Sequence, residues 1–299
     1  MPARFYDYGG LSMIVLDNEP MIKHTTFRTG GPAKRFIKVE SVEDIIKISK
    51  DIDSSDNMLI IGNGSNLLVS DKGIDATVVQ IYDEFNSIDL IDDVTIHAEA
   101  GALLSKIAVF ARDNSLTGFE FASGIPGTAG GAVFMNAGAY GGEMKDCVTR
   151  VYAVVNGKEE NFTSEDMQFG YRESAAMHKK MIITGVDIRL KRGNISDINA
   201  LMSELNGKRR EKQPLEYPSA GSTFKRPEGY YAGKLIMDSG LAGYSVGDAQ
   251  VSEKHCGFVI NKGHATSDEI YRLICDVQRI VKEKTGIWLE TEVRLVGEF

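Results

Sequence analysis

Residues 123–142 read SGIPGTAGGAVFMNAGAYGG, seven glycines in twenty positions. Glycine loses the most backbone freedom on folding and adds no side chain to a core, so such density belongs where the main chain turns sharply or is approached closely. Pro126-Gly127 marks a turn, and the small residues after Thr128 open a short helix. Backbone N–H groups at a helix start, with no bulk beside them, suit a pyrophosphate; tight packing of a helix on a loop is the alternative. A second loop, Gly62-Asn63-Gly64-Ser65-Asn66, follows the apolar run Met58–Ile61 and precedes Leu67-Leu68-Val69. Alone it reads equally well as a turn, but two such loops in one chain exceed what turns demand. The chain holds 31 glycines in 299 residues, and the excess over the usual ~7% gathers in these clusters.

No GxGxxG follows a strand and the elements do not alternate as βαβαβ, so a Rossmann domain is excluded and a mixed α+β class is predicted. Ser41 caps a helix running to about Asp51, with Val42, Ile45, Ile46 and Ser49 on one side. Strands are predicted at Met58–Ile61, Val78–Ile81, Thr95–Ala100, 148–155 and Met181–Leu190, and Leu104, Ile107, Ala108 and Ala111 mark a helix. Asn156-Gly157 is a hairpin signal. Ser196 caps a helix carrying Ile198, Leu201, Met202 and Leu205, and a second helix starts at Ser267 with Ile270, Leu273, Ile274, Val277 and Val281 on one face. Ile287–Val296 reads as a final strand. The length favours two domains. Residues 1–20 are set aside as an N-terminal extension, the first dozen showing no period. A boundary near 193 then separates 21–193, with subdomains of about 21–82 and 83–193, from 194–299.

The net charge of −8 argues against a nucleic-acid partner, which needs a basic surface. Cys147, Cys256 and Cys275 are scattered and odd in number, and the five histidines form no helical pair; disulfide framework and metal site are not expected. No apolar stretch reaches the ~18 residues of a membrane span, and the start lacks a basic region followed by an apolar one. A cytoplasmic monomer without membrane contact is expected.

The two glycine loops resemble the FAD-binding loops of the UDP-N-acetylenolpyruvoylglucosamine reductases. The likeness runs from His24-Thr-Thr-Phe-Arg-Thr-Gly-Gly-Pro32 through Gly-Tyr-Arg-Glu-Ser174 and Ala-Gly-Ser-Thr-Phe-Lys-Arg-Pro227 to Glu292-Val-Arg-Leu-Val-Gly297. It implies a vanillyl-alcohol-oxidase-like FAD-binding domain of two subdomains and a smaller α+β substrate-binding domain. It also implies non-covalent FAD, NADPH as reductant, and conversion of UDP-N-acetylglucosamine enolpyruvate to UDP-N-acetylmuramate in peptidoglycan precursor synthesis. Hydride would leave flavin N5 for the substrate, and Ser222 would give the proton. The short segment between Arg172 and Ser222 resembles the compact form of the family, which lacks a substrate-covering tyrosine loop. On this likeness the cofactor residues are Gly62, Asn63, Gly64, Ser65, Asn66, Ser123, Gly124, Ile125, Pro126, Gly127, Thr128, Gly131, Asn136 and Gly138.

The resemblance assigns catalysis to Arg172, Ser222 and Glu292. A guanidinium forks onto a carboxylate and suits an enolate spilling into one; from the residues alone, Arg172 beside a glutamate reads as a surface ion pair. Ser222 is a credible acid only against a strongly basic carbanion, and otherwise a turn serine. Glu292 shares a predicted strand face with Glu290, so an exposed acidic face is the alternative and only the resemblance selects it. Lys225, Lys234 and Lys262 are candidates for the UDP pyrophosphate, Tyr171 and Asn261 for orienting substrate. Lys208, Arg209, Arg210, Lys212 and Arg226 add to a basic region in which 208–212 also reads as a solvated helix end. His255 is expected to be structural and Trp288 to fill core. An FAD-linked oxidase and a non-catalytic nucleotide-binding protein remain as alternative readings. The first often tethers flavin through His or Cys, which the loops lack; the second has no need of Arg172, Ser222 and Glu292.

Overall fold

The computed structural model describes residues 4–7, 12–51 and 57–299, and the side chains of all but 4–7, 12 and 51 among these. The chain divides into two compact units, 1–16 with 35–63 and 76–209, and 17–34 with 64–75 and 210–299.

The first unit is mixed α+β. One of its sheets runs in the order Arg4–Asp7, Ser12–Pro20, Pro32–Val39, Ile74–Ile81, Met58–Ile61, and Met58–Ile61 lies parallel to Thr77–Gln80. The second runs Lys158–Thr163, Val148–Val155, Ile182–Arg189, Thr95–Glu99, Ile88–Leu90, antiparallel throughout. Asn156 and Gly157, at φ +49° and +73°, make the expected two-residue turn between the first two of these strands; both central residues need positive φ, which asparagine and glycine tolerate. Helix α1 (Val42–Asp51) starts where Ser41 Oγ accepts from Asp44 N at 3.2 Å, and buries Ile45 and Ile48. Helix α2 (Leu104–Asp113) buries the four residues that the periodicity selects. Helix α3 (Ala129–Met135) is capped by Thr128, whose Oγ1 accepts from Gly131 N.

Several expectations fail in this unit. Arg4–Asp7 pairs antiparallel with Ser12–Val15, so the expected N-terminal extension enters a sheet; its residues 1–3 and 8–11 lie outside the described residues. The run Met13-Ile14-Val15-Leu16 is apolar at every position, which hides a period of two, yet Met13 and Val15 are the pair that points into the core. Helix α4 (Ile195–Lys212) begins one residue before the expected cap at Ser196. Asn194 Oδ1 takes the Ser196 N–H at 2.8 Å. Ile198 and Met202 join the first unit's core, so the chain stays in that unit to Arg209 rather than leaving it near 193. Leu201, on the predicted apolar face, is 40% exposed.

The second unit holds helix α5 (Ala232–Asp238), helix α6 (Ser267–Thr285) and a three-stranded antiparallel sheet of Ser245–Val246, Ala249–Val251 and Val259–Asn261. Thr266 and Glu269 form a capping box at the start of α6, and Gly286 at φ +77° ends it. Its five predicted apolar residues are all buried. The expected last strand contracts to Arg294–Val296, parallel to Leu67–Val69. Leu289 and Val293 carry the burial there, and Trp288, expected in the core, is 54% exposed. Apolar character in 287–293 comes from a loop held by single contacts, including an isolated bridge between Thr291 and Phe224.

Candidate active site

In the first unit the two glycine-rich segments lie side by side. Asn63 Nδ2 donates to Pro126 O at 2.6 Å. A Cβ on Gly62 would collide with the Thr128 hydroxyl, and one on Gly130 would come within 2.9 Å of Ala100 Cβ. The turn expected at Pro126-Gly127 lies instead at Ser123-Gly124, where Ile125 N donates to Ala122 O at 3.0 Å, and Gly127 O accepts from Leu104 N at 3.1 Å, which ties the Pro-Gly segment to the start of α2. Ile125 is half-buried against the core, and Ser123 Oγ accepts from Asn206 Nδ2 at 3.2 Å. Gly131 is exposed at the first turn of α3, and a Cβ there meets only Thr128 Oγ1 at 3.5 Å. The glycines thus serve two ends: Gly62 and Gly130 let backbone pack, and Gly131 leaves an open face.

Asn136 ends α3 at φ +42° and is fully buried. Its Nδ2 donates to Gly170 O at 2.7 Å and Glu143 Oε2 at 3.1 Å, and its Oδ1 accepts from Lys145 N at 3.0 Å. The Lys145 hydrogen bond holds the Glu143 carboxyl below the usual carboxylate range. With its amide engaged in this way, Asn136 positions the loop that carries Arg172. Arg172 sits in the left-handed region at φ +57° and donates from Nη2 to Gly138 O at 3.1 Å. Its guanidinium lies 5.1 Å from the ring centre of Tyr171, which is 48% exposed. The neighbouring Glu173 pairs with His178 at 2.7 Å.

The second half of the other glycine loop, Gly64 to Asn66, belongs to the second unit. Gly64 has φ +61°, and a Cβ there would strike the His24 carbonyl. Asn66 Nδ2 donates to Glu292 O at 3.1 Å, and Asn66 O accepts from Arg294 N at 3.0 Å. Glu292 N in turn donates to Thr223 O at 2.8 Å. Thr223 is 1% exposed, with its N–H on Gly257 O and its Oγ1 accepting from Val259 N, both at 2.9 Å. Ser222, exposed, therefore stands next to a fixed residue that is bonded directly to Glu292. Glu292 precedes the last strand instead of lying on it. Glu290 is set apart from it by its ion pair with Lys225, 3.2 Å.

The other candidates are placed less favourably. Lys234 pairs with Asp238 at 2.7 Å on α5, and Lys262 is exposed. Asn261 is buried; its Nδ2 donates to Phe27 O, and its Oδ1 accepts from Gly263 N and Ala265 N, which holds the loop before α6. His255 is half-buried, accepts from Gly257 N at 3.1 Å and packs edge-on against Phe258; burial lowers its pKa. Sequence reasoning missed the anchoring roles of Thr223 and Asn206. For Asn206 the signal was present: with Arg209 it forms an i, i+3 pair on one helix face.

Residues 33–160 match the family described as FAD binding domain, and residues 213–296 match UDP-N-acetylenolpyruvoylglucosamine reductase, C-terminal domain. The UDP-N-acetylenolpyruvoylglucosamine reductase of Agathobacter rectalis is 49% identical over 299 residues, covering 95% of each chain. That of Caldanaerobacter subterraneus subsp. tengcongensis is 51% identical over 287 residues, covering 94% of this chain and 93% of its own. The chain belongs to the UDP-N-acetylenolpyruvoylglucosamine reductase family. The UDP-N-acetylenolpyruvylglucosamine reductase of Thermus caldophilus has a similar structure, TM-score 0.83 at 35% identity, over 95% of this chain and all of that one.

As a member of the UDP-N-acetylenolpyruvoylglucosamine reductase family, the protein is an oxidoreductase and a flavoprotein with FAD as cofactor. The FAD match spans both glycine loops, the C-terminal match spans Ser222 and Glu292, and Arg172 lies between the two. The loops fit the cofactor on their own geometry. At Gly131 the protein leaves open the space a side chain would fill, and the adjoining Thr128, Asn63 and Pro126 are fixed by hydrogen bonds within the unit. Among the described residues no helix is long and apolar enough to cross a membrane.

Proposed function

We propose that the protein catalyses NADPH-dependent reduction of UDP-N-acetylglucosamine enolpyruvate to UDP-N-acetylmuramate, a step of peptidoglycan precursor synthesis in the cytoplasm. FAD, when bound, supplies the two-electron relay between NADPH and the enol ether. The residues that hold it are Gly62 to Asn63 and Ser123 to Gly131; Asn136 and Gly138 brace the loop that carries Arg172, and within the second unit Asn66 braces Glu292. Cys147 offers no tether, because it is buried, donates to Met144 O, and has its thiol pushed up to about 12 by burial. The FAD is non-covalent on this reading. Three free cysteines accord with a reducing compartment.

The chain's own groups act on the substrate. Once the enol ether is reduced at its β-carbon, negative charge builds on the α-carbon and the adjacent carboxylate. Arg172, permanently charged, takes up the carboxylate charge. The Ser222 hydroxyl donates its proton to the α-carbon. The Glu292 carboxyl, in its protonated form, donates a hydrogen bond to the substrate carboxylate and orients it. Tyr171 and Lys225 serve the sugar nucleotide. The observation that carries this reading is the Glu292 N–H to Thr223 O hydrogen bond, which sets the two family residues of the second unit together on a buried anchor.

Two measurements test it. Purified protein should be yellow, bleach with NADPH under anaerobic conditions and regain colour with the enolpyruvyl sugar. Colour unchanged by NADPH, or bleached flavin that the sugar leaves reduced, rejects the reaction. Gly131→Asp should yield a folded, colourless protein, since the protein itself has room for the side chain; full FAD content in that variant rejects the placement of the cofactor.

A further inference from the structure

Arg209 lies on α4, one turn beyond Asn206, whose amide is bonded to Ser123 Oγ at 3.2 Å. A Cβ on Gly124 would come within 2.9 Å of Arg209 Cδ and 3.7 Å of Nε. The stem of Arg209 therefore crosses directly over the Ser123-Gly124 segment, inside the first unit. The side chain is partly buried, and among the described residues its guanidinium donates no hydrogen bond and joins no ion pair. Its neighbours on and around α4 behave otherwise: Lys208 pairs with Glu204, and Lys254 donates to Arg210 O and pairs with Glu216. Burial draws the Arg209 pKa below the ordinary arginine value. A cation taken out of water without a counter-charge is costly, and folds keep such groups where an anion binds.

We propose that Arg209 is a ligand for negative charge on the bound FAD, and that position 124 is glycine so that the arginine stem can reach across the loop. The proposal rests on FAD occupying the glycine loops. Two parts of FAD carry such charge. The pyrophosphate is anionic in both oxidation states, whereas the N1–C2 carbonyl edge of the ring gains charge on reduction. A guanidinium fork matches either.

The test compares Arg209→Met, Arg209→Lys, Lys208→Met and Gly131→Asp holoenzymes. FAD retention is read by flavin fluorescence on dilution, and the flavin reduction potential by anaerobic titration. Against the pyrophosphate, Arg209→Met weakens FAD binding by about 10- to 100-fold and leaves the potential unmoved. Against the ring, oxidised FAD is held nearly as before, and the potential moves negative because the reduced form has lost its counter-charge. Either result supports the proposal, with Arg209→Lys in between and Lys208→Met like the unaltered protein. Unaltered affinity and potential in Arg209→Met overturn it. If Arg209→Met does not fold, Arg209→Lys decides, since losing the fork while keeping the charge still changes one of the two readouts. Full FAD retention by Gly131→Asp instead refutes the loop placement, independently of Arg209.

Discussion

Ser222 is an exposed serine whose position is fixed by its buried neighbour Thr223 and by Gly221, which adopts φ +75° with open space around it. A role confined to protonating carbon predicts an asymmetry. Ser222→Ala should be reduced by NADPH at near the unaltered rate, while reoxidation by the enolpyruvyl sugar slows by at least the ~10²–10⁴ typical of a general acid. Ser222→Cys should recover part of it. Stopped-flow measurement of both half-reactions decides, and equal slowing of both would falsify the assignment. Asn66 makes a second prediction at this scale. Its side chain donates to the Glu292 carbonyl, a hydrogen bond worth about 0.5–1.5 kcal/mol that Asn66→Ala removes. The loss should appear in the reoxidation rate with FAD content unchanged. A colourless Asn66→Ala protein would instead mark the residue as a cofactor contact.

At the scale of elements, the same residue type does different work. Gly64 and Gly221 both have positive φ, but a Cβ at 64 meets the His24 carbonyl and one at 221 meets nothing within 4 Å. Gly221→Ala should cost only the left-handed penalty, about 1–2 kcal/mol, and Gly64→Ala clearly more; equal losses in denaturant unfolding would show that the His24 contact is relaxed at no cost. Thr266 opens α6, whose buried stripe anchors the second core. Thr266→Ala should lower stability by about 1 kcal/mol through the lost cap, without touching flavin content, as thermal unfolding and absorbance would register. Within the first unit Asn63 is bonded to Pro126, and within the second Asn66 braces Glu292.

For the molecule as a whole, the cysteines report on folding and alkaline stability. Cys147 is buried with its thiol pushed up to about 12, from 9.0 for an ordinary cysteine, and Cys275 is exposed. In the native protein Cys275 should react first with iodoacetamide, and Cys147 only on unfolding. Because the folded-state pKa is raised, the unfolded chain releases this proton first. Stability from the Cys147 thiol is complete below pH 9.0 and is lost as pH rises toward 12. Cys147→Ala should flatten the fall of the melting temperature over that interval; an unchanged slope would assign the alkaline loss to other groups.

Much of this was legible in the sequence because it depends on neighbours along the chain. The Asn156-Gly157 turn and the burial stripes of α2 and α6 follow from local φ preferences and 3.6-residue spacing, whereas the turn expected at Pro126-Gly127 falls at Ser123-Gly124. The glycine density announced two close-approach loops before any contact was known, and the resemblance named their ligand. What sequence could not supply was which residues the fold brings together from far apart. Met13 to Leu16 is apolar at every position, so only pairing with its neighbours chose the buried face. Helix α4 carries a weak apolar stripe, so burial of Ile198 and Met202, not a pattern, decided that it packs in the first unit's core. Glu290 and Glu292 are equivalent by spacing, and only the ion pair of one with Lys225 and the main-chain bonds of the other to Thr223 and Asn66 tell them apart. Such choices rest on hydrogen bonds between residues dozens to hundreds of positions apart, whose energies exist only once the tertiary structure has formed.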